Sequence, residues 1–193
     1  MELGAWCLFV SCFFGSWFLV FQLSLPPMSN PLPHDHIIPY KDSSKDKKAQ
    51  VAEMFDSIAG QYDHLNRFLS ARIDISWRKK AILQLKEDHP ACILDVATGT
   101  ADMAILACKM LDPDKVEGID ISANMLELGR KKVEKEGLVD KIHLQVGDSE
   151  AINFTENTFD AVMVAFGVRN FENLENGLAE MLRVLKPGGR LVV

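Results

Sequence analysis

From residue 91 to the end of the chain, short apolar runs alternate with longer amphipathic ones, and this alternation constrains the fold more than any other feature. Strand-length runs separated by stretches with helical spacing imply parallel strands joined by right-handed crossover helices, with both faces of the sheet covered. Strands are expected over Ala91–Val96, Lys115–Ile119, Ile142–Val146 and Phe159–Phe166, with a fifth opening at Arg190 after a Pro187-Gly188-Gly189 turn. Helices are expected over Asp102–Met110, Ala123–Glu136 and Leu174–Leu185. The predicted class is α/β, a Rossmann-like doubly wound sheet.

Two helical stretches precede the first of these strands. Val51, Met54, Phe55, Ile58, Ala59 and Tyr62 follow one helical face, and a second helix is expected from about Ile75 to Leu85. Residues 28–50 carry Pro31, Pro33, Pro39 and a charged Lys41–Lys48 stretch with little to bury, as a flexible tail would. The chain thus divides into an apolar segment 1–27, a tail 28–50 and a domain 51–193. Leu3–Leu25 is uncharged and, as a helix, would reach roughly 35 Å, enough to cross a hydrocarbon core of about 30 Å. It reads as a membrane anchor, or as upstream sequence preceding a true start at Met28. At the other end the chain stops inside a strand, so the domain is expected to lack its last strands.

The formal charge of −6 supplies no basic footprint for nucleic acid. Cys7, Cys12, Cys92 and Cys108 form no C-x-x-C pair and lie in apolar surroundings, which argues against a zinc site or a disulfide framework and fits a reducing, cytoplasmic setting. No metal is expected.

In a doubly wound sheet, ligands bind beyond the carboxyl ends of the strands. The first strand leads into Asp95-Val-Ala-Thr-Gly-Thr-Ala-Asp102, where Gly99 permits close backbone approach and the next helix offers free N–H groups. Asp120 ends the second strand 21 residues after Gly99, a separation that suits a carboxylate accepting from a ribose diol. Asp148-Ser149 follows the third strand, where the carboxylate can accept from an adenine amino group; Met125 and Ile121 can pack on the ring. A pyrophosphate site wants G-x-G-x-x-G, and this loop has only Gly99. Thr100 and Asp102 can instead receive an ammonium group, so the pattern favours S-adenosylmethionine over a dinucleotide. Alone, Asp120 would be no more than the cap of the helix near Ser122.

The string Ala165-Phe-Gly-Val-Arg-Asn170, with Arg183-Val-Leu-Lys-Pro-Gly-Gly-Arg190 and the early Val51-Ala-Glu-Met-Phe-Asp-Ser-Ile-Ala-Gly-Gln-Tyr-Asp63, Asn66, Arg67, Asp74 and Trp77-Arg78, resembles the ubiquinone/menaquinone biosynthesis C-methyltransferase family from about Pro31 to Val193. The resemblance implies a class I S-adenosylmethionine-dependent methyltransferase fold, cofactor contacts at Thr100, Asp120, Asp148 and Ser149, and a hairpin of two further strands after Val193. It departs at Ala165, where some ubiquinone-pathway relatives carry a cofactor-touching Ser. Together with the Pro31–Asp35 opening, this favours demethylmenaquinol as substrate over a ubiquinone-pathway benzoquinol.

Arg169 and Asn170 follow the fourth strand and face the expected methyl-transfer position. Arginine stays protonated, so Arg169 is expected to orient a proton-accepting water or steady a developing oxyanion, with Asn170 fixing the ring. Tyr62, Asp63 and Asn66 are expected to cap the pocket. An isoprenoid quinol needs an apolar channel or the membrane surface, and the family implies dimer contacts. The rivals are another small-molecule methyltransferase, which would not need Arg169-Asn170, and a non-catalytic adenosyl-binding module.

Overall fold

The computed structural model describes residues 9–13, 16–21, 46–69 and 73–193, with side chains described over 46–62 and 73–193. Asp63 and Asn66 therefore lie outside the described side chains. The elements in order are β1 (Phe9–Phe13), β2 (Ser16–Phe21), α1 (Lys47–Leu69), α2 (Ile73–Leu83), β3 (Cys92–Val96), α3 (Asp102–Leu111), β4 (Lys115–Asp120), α4 (Ala123–Lys135), β5 (Ile142–Val146), β6 (Phe159–Val164), α5 (Leu174–Val184) and β7 (Leu185–Val192).

The sheet runs β1-β2-β7-β6-β3-β4-β5. Strands β3 to β7 are parallel, and the order reverses beside β3, whose neighbours are β4 and β6. This is the doubly wound arrangement expected from the alternation, and it opens a crevice between the loops after β3 and β6. Alternation along β3 separates two cores. Ile93 packs with Met103, Ala104 and Ala107 of α3 and with Ile82 of α2, while Leu94 and Val96 pack with Met181 and Val184 of α5 on the opposite face. Strands buried on both faces read as continuous apolar runs, which is why β3 and β6 were legible without strict alternation.

Helix α1 begins at Lys47, before the first apolar position of its stripe, because the Ala49 N–H donates to the Asp46 carboxylate at 2.8 Å and caps the helix. The Lys-Pro-Gly-Gly segment is not a turn preceding a strand but an irregularity within β7. Leu185 pairs with Phe159 and Arg190 with Ala161, so Lys186 to Gly189 bulge out opposite Asp160. Gly188 adopts φ +83° there, which a side chain would resist.

At the β7 edge the hairpin comes from the amino-terminal apolar segment. Strands β1 and β2 pair antiparallel, and β2 continues onto β7 through Val20 opposite Val192 and Phe21 opposite Leu191. This part of the apolar run is thus extended rather than helical, and among the described residues no helix is long and apolar enough to cross a membrane. Cys92 and Cys108 are free thiols.

Candidate functional site

The loops at the carboxyl ends of β3, β4, β5 and β6 enclose a cleft of two connected lobes. The wider lobe is lined by Gly99, Asp120, Ile121, Met125, Asp148, Ser149, Arg169 and Asn170, with Lys48, Val51, Phe55 and Tyr62 of α1 as its roof. The narrower lobe is lined by Arg78, Asp95, Thr98, Thr100, Asp102 and Met103. Tyr62, Ala97, Gly99, Ala165 and Phe166 border both.

The loop after β3 is wound tightly, with Ala97, Gly99 and Ala101 all at positive φ. Left-handed conformations outside glycine cost energy and tend to persist where the surroundings over-determine them. Here the Thr98 N–H donates to the Ile119 carbonyl at 3.0 Å and the Gly99 N–H to Asp120 Oδ2 at 2.8 Å. The other Asp120 oxygen accepts the Ser122 N–H at 2.9 Å. Ser122 itself caps α4 through the Met125 N–H, so Asp120 is not the helix cap. Burial pushes the Asp120 carboxyl up, against the lowering effect of the Ser122 and Gly99 amides. The carboxylate lines the wider lobe and, with about four acceptor positions, has capacity beyond these amides.

Asp148 accepts the Glu150 N–H at 2.9 Å and the Lys48 ammonium at 2.7 Å, and Ser149 is buried beside it. Lys48 also reaches Glu150 at 3.1 Å. Burial would lower the Lys48 pKa, but hydrogen bonds to Asp148 and Glu150 outweigh it and raise the value. Met125 and Ile121 flank this end of the lobe.

The narrower lobe departs from expectation. Thr100 and Asp102 do line it, but they are already engaged: Lys132 donates to Thr100 Oγ1 and to Asp102, each at 2.7 Å, and Arg78 donates to the second Asp102 oxygen at 2.7 Å. Burial opposes ionisation of Asp102, yet Lys132 and Arg78 outweigh it and hold the carboxyl below its ordinary value. The acceptor that sequence reasoning missed is Asp95. Its carboxylate is buried and accepts the Thr98 hydroxyl at 2.6 Å. Burial pushes its pKa up to about 7, against the lowering effects of Thr98 and Arg78. The usable signal was its place opening the loop at the end of β3.

Arg169 and Asn170 form a short 3-10 turn after β6, and Arg169 is exposed at the wider lobe. The ion pair with Glu172 or Glu175 that would make it structural is absent among the described residues. Phe166 adopts φ +64° and packs against Trp77 with ring centroids 6.1 Å apart, leaving both rings partly exposed at the mouth. Tyr62 meets Phe55 edge-on at 5.9 Å. Lys48, Arg78 and Glu150 were also missed, since each acts through partners remote in sequence.

The donor and acceptor inventory fits an adenosyl amino acid. Buried Asp120 and partly exposed Asp148 line one lobe, and a lobe carrying both signs of charge stands beside them. The Thr98, Gly99 and Ala101 N–H groups of the loop already donate, to the Ile119 carbonyl, Asp120 and the Thr98 carbonyl, and so do not cradle a pyrophosphate. Among the described residues no cluster of His, Cys, Asp or Glu is arranged to hold a metal.

The ubiE/COQ5 methyltransferase family matches residues 41–193. A demethylmenaquinone methyltransferase of Bacteroides fragilis is 54% identical over 161 residues, covering 83% of this chain and 65% of the relative. A ubiquinone/menaquinone biosynthesis C-methyltransferase of Geotalea daltonii is 46% identical over 149 residues, covering 77% and 63%. The chain thus spans less than two thirds of the length of these relatives. Among solved structures, a candidate S-adenosyl-L-methionine-dependent methyltransferase of Methanococcus maripaludis superposes with a TM-score of 0.59 at 22% identity, covering 79% of this chain and 65% of that one. The [4+2]-cyclase SpnF superposes at 0.63 with 20% identity, covering 75% and 58%, so the scaffold alone does not dictate the reaction. A profile match over most of the chain, joined to relatives of this identity, places the protein in the ubiE/COQ5 methyltransferase family.

Proposed function

We propose that this protein transfers a methyl group from S-adenosylmethionine to a ring carbon of demethylmenaquinol, a step of menaquinone (vitamin K2) biosynthesis. The observation that carries the reading is one cleft that joins an adenosine-shaped set of acceptors, Asp120 and Asp148-Ser149, to the exposed Arg169-Asn170 turn. The names of the similar proteins from Bacteroides fragilis and Geotalea daltonii support the substrate class.

On this reading Asp120 accepts from the ribose hydroxyls, Asp148 accepts from the adenine amino group, and Met125 and Ile121 pack on the ring. Gly99 lets the backbone approach, while Asp95, Thr100, Asp102 and Arg78 surround the amino-acid end. Bound there, S-adenosylmethionine supplies an electrophilic methyl group on a sulfonium. Arg169 holds the water that takes the ring hydroxyl's proton, or steadies the oxyanion left behind, and Asn170 orients the ring. Tyr62 and Phe166 stand where they would exclude water from the junction of the lobes. The ring carbon would bond the methyl group as the methyl–sulfur bond breaks and S-adenosylhomocysteine leaves; the carbon would then lose its own proton to solvent and the ring oxygen regain one, restoring the quinol.

The polyprenyl tail directs the substrate side toward a membrane surface, and the protein acts from a reducing cytoplasm, as a homodimer. Calorimetric titration of S-adenosylmethionine, followed by methyl transfer to a demethylmenaquinol analogue, tests the reading. Binding with product formation supports it. Binding without transfer to any quinol would leave an adenosyl-binding module in its place.

A further inference from the structure

Among the carboxylates around the cleft, Glu150 has no part in the chemistry above, yet groups from α1 and from the loop after β6 converge on it. Its side chain is 6% exposed. One oxygen accepts the backbone N–H groups of Glu172 at 2.8 Å and Asn173 at 2.9 Å, the residues that lead from the Arg169-Asn170 turn into α5. The other faces the Lys48 ammonium at 3.1 Å. Lys48 spends its shorter contact, 2.7 Å, on Asp148, the acceptor at the adenine end of the cleft. The neighbouring Lys47 donates to the Phe171 carbonyl at 2.6 Å, so the first turn of α1 holds both the loop after β5 and the loop after β6. Asn173 in turn caps α5 by accepting the Asn176 N–H at 2.9 Å.

These bonds form one connected path from the adenine end of the cleft to the turn that presents Arg169. We propose that Glu150 is a positioning residue which, through Lys48, couples occupation of the adenosine lobe to the geometry of the Arg169-Asn170 turn. The inference rests on the cofactor reading above. An amino donor arriving at Asp148 shares the oxygen that Lys48 holds and shifts the ammonium toward Glu150. Glu150 is then fixed from one side by a cation and from the other by two amides, and the start of α5 is held in register. The turn carrying Arg169 is ordered when the methyl donor is in place and looser when it is not. A side chain that merely stabilised the fold would protect the loop equally with and without ligand.

Hydrogen–deuterium exchange of the whole chain, with and without S-adenosylhomocysteine, separates these cases when calorimetry on the same samples reports binding. In the parent, ligand is expected to slow exchange at the Glu172 and Asn173 amides by about tenfold, the worth of roughly one net hydrogen bond. Glu150→Ala is expected to bind the ligand yet lose that response. Glu150→Gln keeps an acceptor for the two amides and therefore their resting protection, but without a charge for Lys48 it too loses the response. Lys48→Met, at a half-exposed helix end, breaks the opposite end of the path and decides the matter if the Glu150 variants fold poorly. A ligand-induced response that persists in Glu150→Ala or Lys48→Met overturns the coupling while leaving the cofactor reading intact. A parent that binds no S-adenosylhomocysteine overturns both.

Discussion

At the scale of single residues, Asp120, Arg169 and Asp95 carry separable expectations. Asp120 lines the wider lobe while holding the Gly99 and Ser122 amides. Asp120→Ala is therefore expected to weaken S-adenosylmethionine by about 100-fold, two charge-assisted hydrogen bonds being lost together; calorimetry reads this directly. Among the described residues the Arg169 side chain makes no ion pair and is exposed at the cleft, so Arg169→Ala should abolish quinol methylation with cofactor affinity unchanged. Turnover that survives would remove it from the mechanism. Asp95 has a folded-state pKa of about 7, raised by burial from 3.8. Between those values the native state holds a proton that the unfolded chain has released, so stability falls as pH rises, by up to about 1.4 kcal/mol per pH unit, and levels off above the folded pKa. Asp95→Asn removes this dependence. Denaturation of the two proteins at several pH values should show the parent losing ground to the variant between roughly pH 4 and 7; a constant difference would count against a raised pKa. Of the candidate residues, Asp120, Asp148 and Ser149 were readable because a strand end followed by a turn is a local pattern. The engagement of Asp102 by Arg78 and Lys132 was not, since those partners lie 24 and 30 residues away.

At the scale of elements, the loops after β3 and β6 meet across the switch point. A Cβ at Gly167 would stand 2.4 Å from the Ala97 Cβ, closer than packed atoms tolerate. Gly167→Ala must push the Arg169 turn away from the cofactor loop. It is expected to cost about 1–3 kcal/mol in chemical denaturation and to lower turnover more than cofactor affinity. From α2 to α5 the element bounds were legible within about two residues because their signals are periodic. The start of α1 shifted because a cap, Asp46, outranked the apolar stripe that begins later. The Lys-Pro-Gly-Gly segment misled for the opposite reason. Its composition says turn, but pairing on both sides of the bulge keeps it within β7.

At the scale of the whole molecule, the amino-terminal hairpin covers the β7 edge through Val20–Val192 and Phe21–Leu191 pairing. An uncovered parallel strand presents a row of free backbone groups and recruits other chains. A protein starting at Met28 is thus expected to retain cofactor binding, because the cleft is built from residues beyond it, but to associate with rising concentration in light scattering. A monodisperse Met28-start protein would show that the edge needs no cover.

The sequence by itself determined the α/β class, the alternation of elements and the strand-end positions of Asp120, Asp148, Ser149, Arg169 and Asn170, because periodicity and turn chemistry are written in neighbouring residues. Only the tertiary structure decided which of those groups are already spoken for. Lys48 meets Asp148 across 100 residues of chain, and Arg78 and Lys132 converge on Asp102 from different helices. Burial, charge pairing and the cover of a sheet edge depend on what packs alongside, and no local pattern encodes that.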